Sequence, residues 1–186
     1  MRIKLSDHFT YGRLIRFCLS PMIMMIFTSI YGVVDGLFVS NYVGKIPFAS
    51  INLVMPFLMM VGGIGFMLGT GGSALTAMTL GEGDQERANR YFSMLIYLTI
   101  FGGIILSILG ILLARPVSIA LGASGDLLDY CTLYGRITFL SLTPFMLQNV
   151  FQCFFVTAEK PKLGLLVVVL AGVTNMVLDY LFIAVF

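Results

Sequence analysis

The chain has 186 residues, of which 59% are hydrophobic and only 11% charged, and its mean hydropathy is +0.99. Soluble domains average about 25% charged residues, so the composition excludes an ordinary soluble domain and predicts a protein whose main partner is the lipid bilayer. The formal net charge of +2 is too small to indicate nucleic acid as a partner.

Five apolar stretches are long enough to cross a bilayer, for which a helix needs about 20 mostly apolar residues. The predicted membrane helices lie at about 17–43, 48–80, 91–114, 127–156 and 163–186. The expected fold class is therefore all-α and integral to the membrane, a bundle of five transmembrane helices spanning residues 1–186. The last stretch reaches Phe186 without a polar flank, so we expect the chain to be part of a longer protein.

Prolines and one polar stretch punctuate these helices. Pro56 should bend the second helix, Pro144 lies in the middle of the fourth, and Arg115-Pro116 is predicted to end the third. Residues 81–90 form the most polar stretch of the chain and predict a water-exposed loop followed by a short interfacial helix. Asp84 suits the N-cap of that helix.

The basic residues predict the orientation, because cytoplasmic loops of membrane proteins carry the excess of Lys and Arg. Eight of the eleven fall on the side of the N-terminus: Arg2, Lys4, Arg13, Arg16, Arg87, Arg90, Lys160 and Lys162. The other side has Lys45, Arg115 and Arg136. We therefore expect a multi-pass protein of the cell membrane with a cytoplasmic N-terminus.

Polar side chains occur at membrane depth on three of the five predicted helices. The groups that share or adjoin a helix face are Thr28, Tyr31 and Asp35 on the first, Gln148, Gln152 and Asn149 on the fourth, and Asn175 with Asp179 on the fifth. Such groups are costly against lipid, so they usually face a bundle interior or a wet cavity. We expect them to converge between helices.

The two carboxylates define the chemistry of that cavity. Carboxylate and amide oxygens are ligands for hard cations, whereas two neighbouring carboxylates disfavour each other's ionisation and so suit a proton equally well. The alternative is interhelical hydrogen bonding alone, worth about 0.6–2 kcal/mol per contact. That alternative explains the amides, but it explains the two acids Asp35 and Asp179 poorly.

Four features, taken in order, carry a family resemblance. They are Ser20-Pro21 with Val34-Asp35-Gly36-Leu37-Phe38-Val39, then Ala49, Asn52 and Pro56, then residues 81–90, and finally Asn175 with Asp179. On these features the whole chain resembles the N-terminal part of a bacterial multidrug and toxic compound extrusion (MATE) transporter. That family folds as two six-helix bundles, so the resemblance implies an incomplete N-terminal lobe, with the sixth helix and the C-terminal lobe absent.

The resemblance also implies a function and a set of site residues. It implies export of small organic cations and amphipathic drugs in exchange for H⁺ or Na⁺, with no other cofactor and with a missing C-terminal half as partner. Asp35 matches the coupling carboxylate, and Asn149, Asn175 and Asp179 match the cation site, so Asp35, Asn175 and Asp179 are the candidate Na⁺ ligands. We place the less specific positions in the substrate cavity: Thr28, Tyr31, Gln148 and Gln152.

Three rival functions fit the sequence less well. A flippase for lipid-linked oligosaccharides shares the architecture, but it would favour basic groups in its cavity, and here only Arg136 lies near membrane depth. A membrane enzyme acting on lipid head groups needs clustered His, Asp or Glu, and Glu82, Asp84 and Glu86 have no His or Cys partner. A non-catalytic scaffold would not explain the inward-facing acids. We predict a transporter and not an enzyme.

Overall fold

The structure is a computed structural model that describes residues 11–158 and 160–185, without the side chains at positions 13, 14, 16, 17, 20, 184 and 185. The basic lead used to predict the orientation, and Phe186 at the end of the fifth predicted helix, therefore lie largely outside the described residues. Within the described ranges all regular structure is helical.

The helices follow one another with short connections. They are α1 (Tyr11–Phe38), a first π segment (Val39–Val43), α2 (Lys45–Gly81), α3 (Gln85–Ala120), α4 (Asp126–Leu140), α5 (Leu142–Thr157), α6 (Pro161–Asp179) and a second π segment (Tyr180–Val185). Four helical stretches are individually long and apolar enough to cross a membrane, and α4 with α5 makes a fifth when taken together. The predicted fold class, an all-helical membrane bundle of five crossings, agrees with this architecture.

The predicted range 127–156 implied one continuous fourth helix, and this is wrong. The segment is two helices, α4 and α5, bent by 51° at Ser141. Pro144 is the physical reason, since proline has no N–H to donate to the Leu140 carbonyl oxygen and its ring clashes with that carbonyl. Pro144 thus occupies the first turn of α5, where proline is tolerated, and not the middle of a helix.

The third predicted helix is longer at both ends than the range 91–114. It begins at Gln85, so the polar stretch forms its first turns and not a separate interfacial helix. The expected N-cap is confirmed, because the Asp84 carboxylate accepts the Arg87 N–H at 2.9 Å. The expected end at Arg115-Pro116 is wrong: the helix continues to Ala120, and the chain turns at Gly122, whose φ is +92°.

The residues pack into two compact units, which are described separately. The central unit is Gly44–Cys153, and the terminal unit combines the residues up to Val43 with those from Phe154 onward. The central unit contains α2, α3, α4 and most of α5, and the terminal unit contains α1, α6 and both π segments.

Glycines on α2 form the surface against which α4 and α5 pack in the central unit. A Cβ on Gly65 would lie 2.8 Å from the Met146 Cα, and one on Gly69 would lie 3.1 Å from the Val150 Cα. Small residues allow this close backbone approach, which drives helix association in lipid where apolar burial contributes little. The fully buried Met146 and Val150 side chains fill the resulting groove.

The order of these contacts shows that α4 and α5 make one broken crossing. The Cys131 thiol lies 3.9 Å from the Ser50 carbonyl oxygen, Gly135 faces Val54, and further along Met146 lies on Gly65. The residue numbers of these contacts rise together along α2 and along the α4–α5 pair, so the bent pair runs parallel to α2 without turning back. A re-entrant loop would reverse that order.

The opposite side of the bent pair packs on α3. The Phe139 ring, 2% exposed, occupies the space above Gly110. The Ser107 and Thr143 hydroxyls are 3.3 Å apart and share a hydrogen bond. The residue numbers of these contacts rise along α4 and α5 as they fall along α3, so α3 is antiparallel to the bent pair, as expected for consecutive crossings.

Candidate functional site

The two acids predicted to meet both lie in the terminal unit, where α1 packs along α6. Tyr31 lies against Gly172, and the two π segments contact each other. Residue numbers rise together along both helices, so α1 and α6 are parallel. A parallel first and last helix requires an odd number of crossings, in agreement with five.

The face of α6 that packs inward explains how Asp179 reaches its position. Gly164, Val168 and Gly172 are buried, four residues apart. Asn175 and Asp179 continue the same face in steps of three and four residues. The polar groups therefore extend the packed stripe of α6 and are half-buried, while most other side chains of the helix are exposed.

The pair holds oxygen atoms that have no hydrogen-bond donor. Asn175 Oδ1 and Asp179 Oδ2 are both buried and without a partner among the described residues, and the half-buried Asp35 carboxyl adds further acceptors. An unsatisfied buried polar atom costs about 1–3 kcal/mol, and native structures rarely leave one unexplained. A group of acceptor oxygens without matching donors favours a positively charged guest.

The backbone widens beside the acids on both helices. The first π segment begins at Val39, four residues after Asp35, and the second begins at Tyr180, directly after Asp179. Isolated π-helical turns are rare and are frequent at functional sites. The coincidence of two such segments at one level marks this part of the terminal unit as the place where the helices depart from regular geometry.

The other predicted residues of α1 have structural partners. The Thr28 hydroxyl donates to the Met24 carbonyl oxygen at 2.9 Å, and the residue itself is exposed. The ring of Tyr31 packs on Gly172, one helical turn from Asp35. Tyr31 therefore belongs to the α1–α6 contact, whereas Thr28 does not.

The amides of α5 belong to the central unit and are described within it. Gln148 is exposed, and Asn149 and Gln152 are half-buried. The backbone oxygen of Asn149 would lie 3.2 Å from a Cβ on Gly69, which places Asn149 at the contact between α2 and α5. Its predicted role at the cation site remains a prediction.

An apolar groove of about 470 Å³ lies along α1, on the side of the helix away from Asp35 and Tyr31. Its lining residues are Met25, Ile26, Ser29, Ile30, Val33 and Val34. Successive residues of an α-helix are about 100° apart around its axis, so the groove residues and Asp35 lie on opposite faces of α1. Neither this groove nor the role of Gly172 was predicted from the sequence, although Gly172 lies three residues before Asn175 and so on the same helix face.

The donor set limits what the site could hold. No cluster of three or more His, Cys, Asp or Glu suited to a metal ion occurs among the described residues. Two carboxylates and one amide can hold a proton or contribute three ligands to a monovalent cation. Divalent or transition metals favour larger or softer sets of ligands, so a resident metal centre does not fit these residues.

Comparison with known proteins identifies the architecture. A family model described as MatE matches residues 21–181. The chain belongs to the MatE family. This confirms the family resemblance that the sequence features carried.

Individual relatives agree with this assignment. The multidrug export protein MepA of Staphylococcus haemolyticus is 27% identical over 170 residues, which cover 91% of this chain and 37% of MepA. A structure of MATE in complex with MaD5 is 25% identical, with a TM-score of 0.85, and the match covers 91% of this chain and 38% of that one. These relatives are an export protein and a transporter, in agreement with the prediction that the MatE chain is not an enzyme.

A third relative shows the limit of inference from the fold. A MOP superfamily transporter from Pyrococcus furiosus is 25% identical with a TM-score of 0.84, covering 91% of this chain and 37% of that one. The reversed polarity of its binding pocket suggests a different function for that protein. The MatE chain spans about 37% of the length of the relatives it matches, so the chemistry of its own site must carry the functional argument.

Proposed function

We propose that this chain forms the ion-coupling part of a secondary active multidrug exporter, which moves cationic and amphipathic compounds outward in exchange for H⁺ or Na⁺. The observation that carries the proposal is the acid pair of the terminal unit. Asp35 and Asp179 lie on two helices of that unit that pack together, and Asn175 Oδ1 and Asp179 Oδ2 are buried without a donor among the described residues.

The proposed mechanism is competition for negative charge. With no guest, the two carboxylates attract an organic cation. A proton or Na⁺ bound between Asp35 and Asp179 cancels part of that charge and weakens the hold on the substrate. An ion can shift the transporter between its two states only by binding them with different affinities.

The charge of the site supports this proposal over the rivals. A flippase for phosphate-bearing lipids would favour cationic side chains, and the groups at the α1–α6 contact are acidic. Arg136, the basic residue singled out for that alternative, is exposed on α4. The relative named for multidrug export matches 91% of this chain, which supports drugs as the substrate class.

We further propose that the protein lies in the cell membrane with its N-terminus in the cytoplasm. In that orientation the loop before α3, which contains Gly83, faces the cytoplasm, and the turn at Gly44 faces outward. Single cysteines at Lys45 and Glu82, both exposed, test this in intact cells. An impermeant thiol reagent should label the cysteine at position 45 and not the one at position 82, and the reverse pattern would contradict the orientation.

Vesicles containing the complete natural protein that carries this chain test the coupling. We expect an imposed gradient of H⁺ or of Na⁺, directed opposite to the substrate, to drive uptake of a fluorescent organic cation by inverted vesicles. Collapsing the effective gradient with an ionophore should stop uptake. Uptake that persists without either gradient, or that requires ATP hydrolysis, would contradict ion-coupled exchange.

A further inference from the structure

Gly172 of α6 packs against the Tyr31 ring of α1. A Cβ on Gly172 would lie 2.9 Å from Tyr31 Cδ1 and 3.6 Å from both Cγ and Cε1. Carbon atoms do not approach to 2.9 Å without displacement. The Tyr31 ring therefore uses the missing side chain of Gly172 to bring the two helices together at this level.

The position of the contact connects it to the acid pair. Tyr31 lies one turn before Asp35 on α1, and Gly172 lies one and two turns before Asn175 and Asp179 on α6. We propose that Gly172 is a positioning residue, which sets the separation of the two helices and thereby the spacing of the ion-coupling carboxylates. This inference rests on the proposed function of the pair.

The groups around the acid pair leave the distance between α1 and α6 as the main determinant of how the two carboxylates interact. Among the described side chains of α1, α6 and the two π segments, the titratable groups near the pair are Tyr31, Tyr42 and Tyr180. The nearest described base on these elements is Lys162, 17 residues before Asp179 and so about 25 Å away along the helix. No cation on these described elements compensates for a change in the distance between the acids.

The inference is tested on purified protein of full natural length, by comparing the Gly172→Ala and Gly32→Ala variants with the wild type. The readout is ion binding, measured as a rise in melting temperature, since a bound ion stabilises the folded state. Binding of Na⁺ is measured when Na⁺ replaces choline in the buffer. Binding of H⁺ is measured when a choline buffer is acidified. Gly32 is the matched control because it lies in α1 beside Tyr31 and a Cβ there meets nothing within 4 Å.

We expect Gly172→Ala to weaken ion binding about fivefold to tenfold, because displacements of about 1 Å can cost up to about 100-fold in an aligned site. Gly32→Ala should bind the ion as the wild type does. Equal affinities in Gly172→Ala and the wild type would overturn the inference, and so would a wild type that binds neither ion.

Two further variants separate packing from the Tyr31 hydroxyl and serve if Gly172→Ala does not fold. Tyr31→Phe keeps a ring on Gly172, whereas Tyr31→Leu removes it, so Tyr31→Phe should retain more ion affinity. Equal losses in both would assign the effect to the hydroxyl and overturn the inference. Efflux by Asp35→Asn is measured in parallel, because normal efflux there refutes the proposed function, while the binding comparison still decides the role of Gly172.

Discussion

Asp35→Asn is expected to abolish ion-driven efflux, with a loss of at least about tenfold, while the protein still reaches the membrane. Asparagine preserves the shape and the hydrogen-bonding capacity of the side chain but removes the charge that attracts a proton, Na⁺ or a cationic substrate. Coupling between two ligands is typically worth about 1–3 kcal/mol, or about 5–150-fold in affinity. Drug resistance of cells expressing the variant, normalised to its amount in the membrane, measures the effect.

A matched substitution controls for the loss of a carboxylate elsewhere. Asp129 is exposed in the first turn of α4, so Asp129→Asn should cost only the weak interaction of an acid with a helix N-terminus, about 0.3–1 kcal/mol, and should leave efflux intact. Normal resistance conferred by Asp35→Asn would remove Asp35 from the mechanism.

Gly65→Ala is expected to destabilise the central unit by about 1–3 kcal/mol, the usual cost of overpacking a well-packed core. A methyl group there would lie 2.8 Å from both the Cα and the Cβ of Met146. Because the obstacle includes backbone, no side-chain rotation relieves it, and α2 must move away from α5. The change is measured by thermal unfolding of the purified protein in detergent. Unfolding is followed by the loss of helix content or by fluorescence-detected size-exclusion chromatography after heating.

Gly63→Ala is the matched control, since a Cβ on Gly63 meets nothing within 4 Å. Replacing glycine by alanine inside a helix stabilises it by about 0.5–1 kcal/mol when there is room. We therefore expect the two neighbouring substitutions to have opposite signs. A melting temperature for Gly65→Ala at or above that of Gly63→Ala would show that α2 and α5 do not approach as closely as described.

The predictable part of the fold was the part set by local composition. Apolar length gave five crossings, and the Asp84 cap followed from an acid before a helical pattern. The errors came from the prolines. Pro116 was expected to end a helix and does not, because its missing N–H costs one hydrogen bond and the helix ends only at the Gly122 turn. Pro144 was expected inside a helix and instead begins one after the break at Ser141.

The candidate site shows the same division. Periodicity correctly placed Asn175 and Asp179 on one face of the last helix, and Tyr31 with Asp35 on one face of the first. Periodicity does not reveal which neighbour a face meets, and the amides of α5 belong to the other unit. Gly172 was overlooked because a glycine has no side-chain chemistry; only the ring that packs on it gives it a role.

The most direct test of a shared guest at the acid pair is the number of ions bound by the purified protein as Asp35 and Asp179 are changed to asparagine singly and together. Residues that hold one guest jointly are not additive. We predict that either single substitution removes the same bound H⁺ or Na⁺ and that the double substitution removes nothing more. Two independent losses that add in the double variant would contradict a shared site.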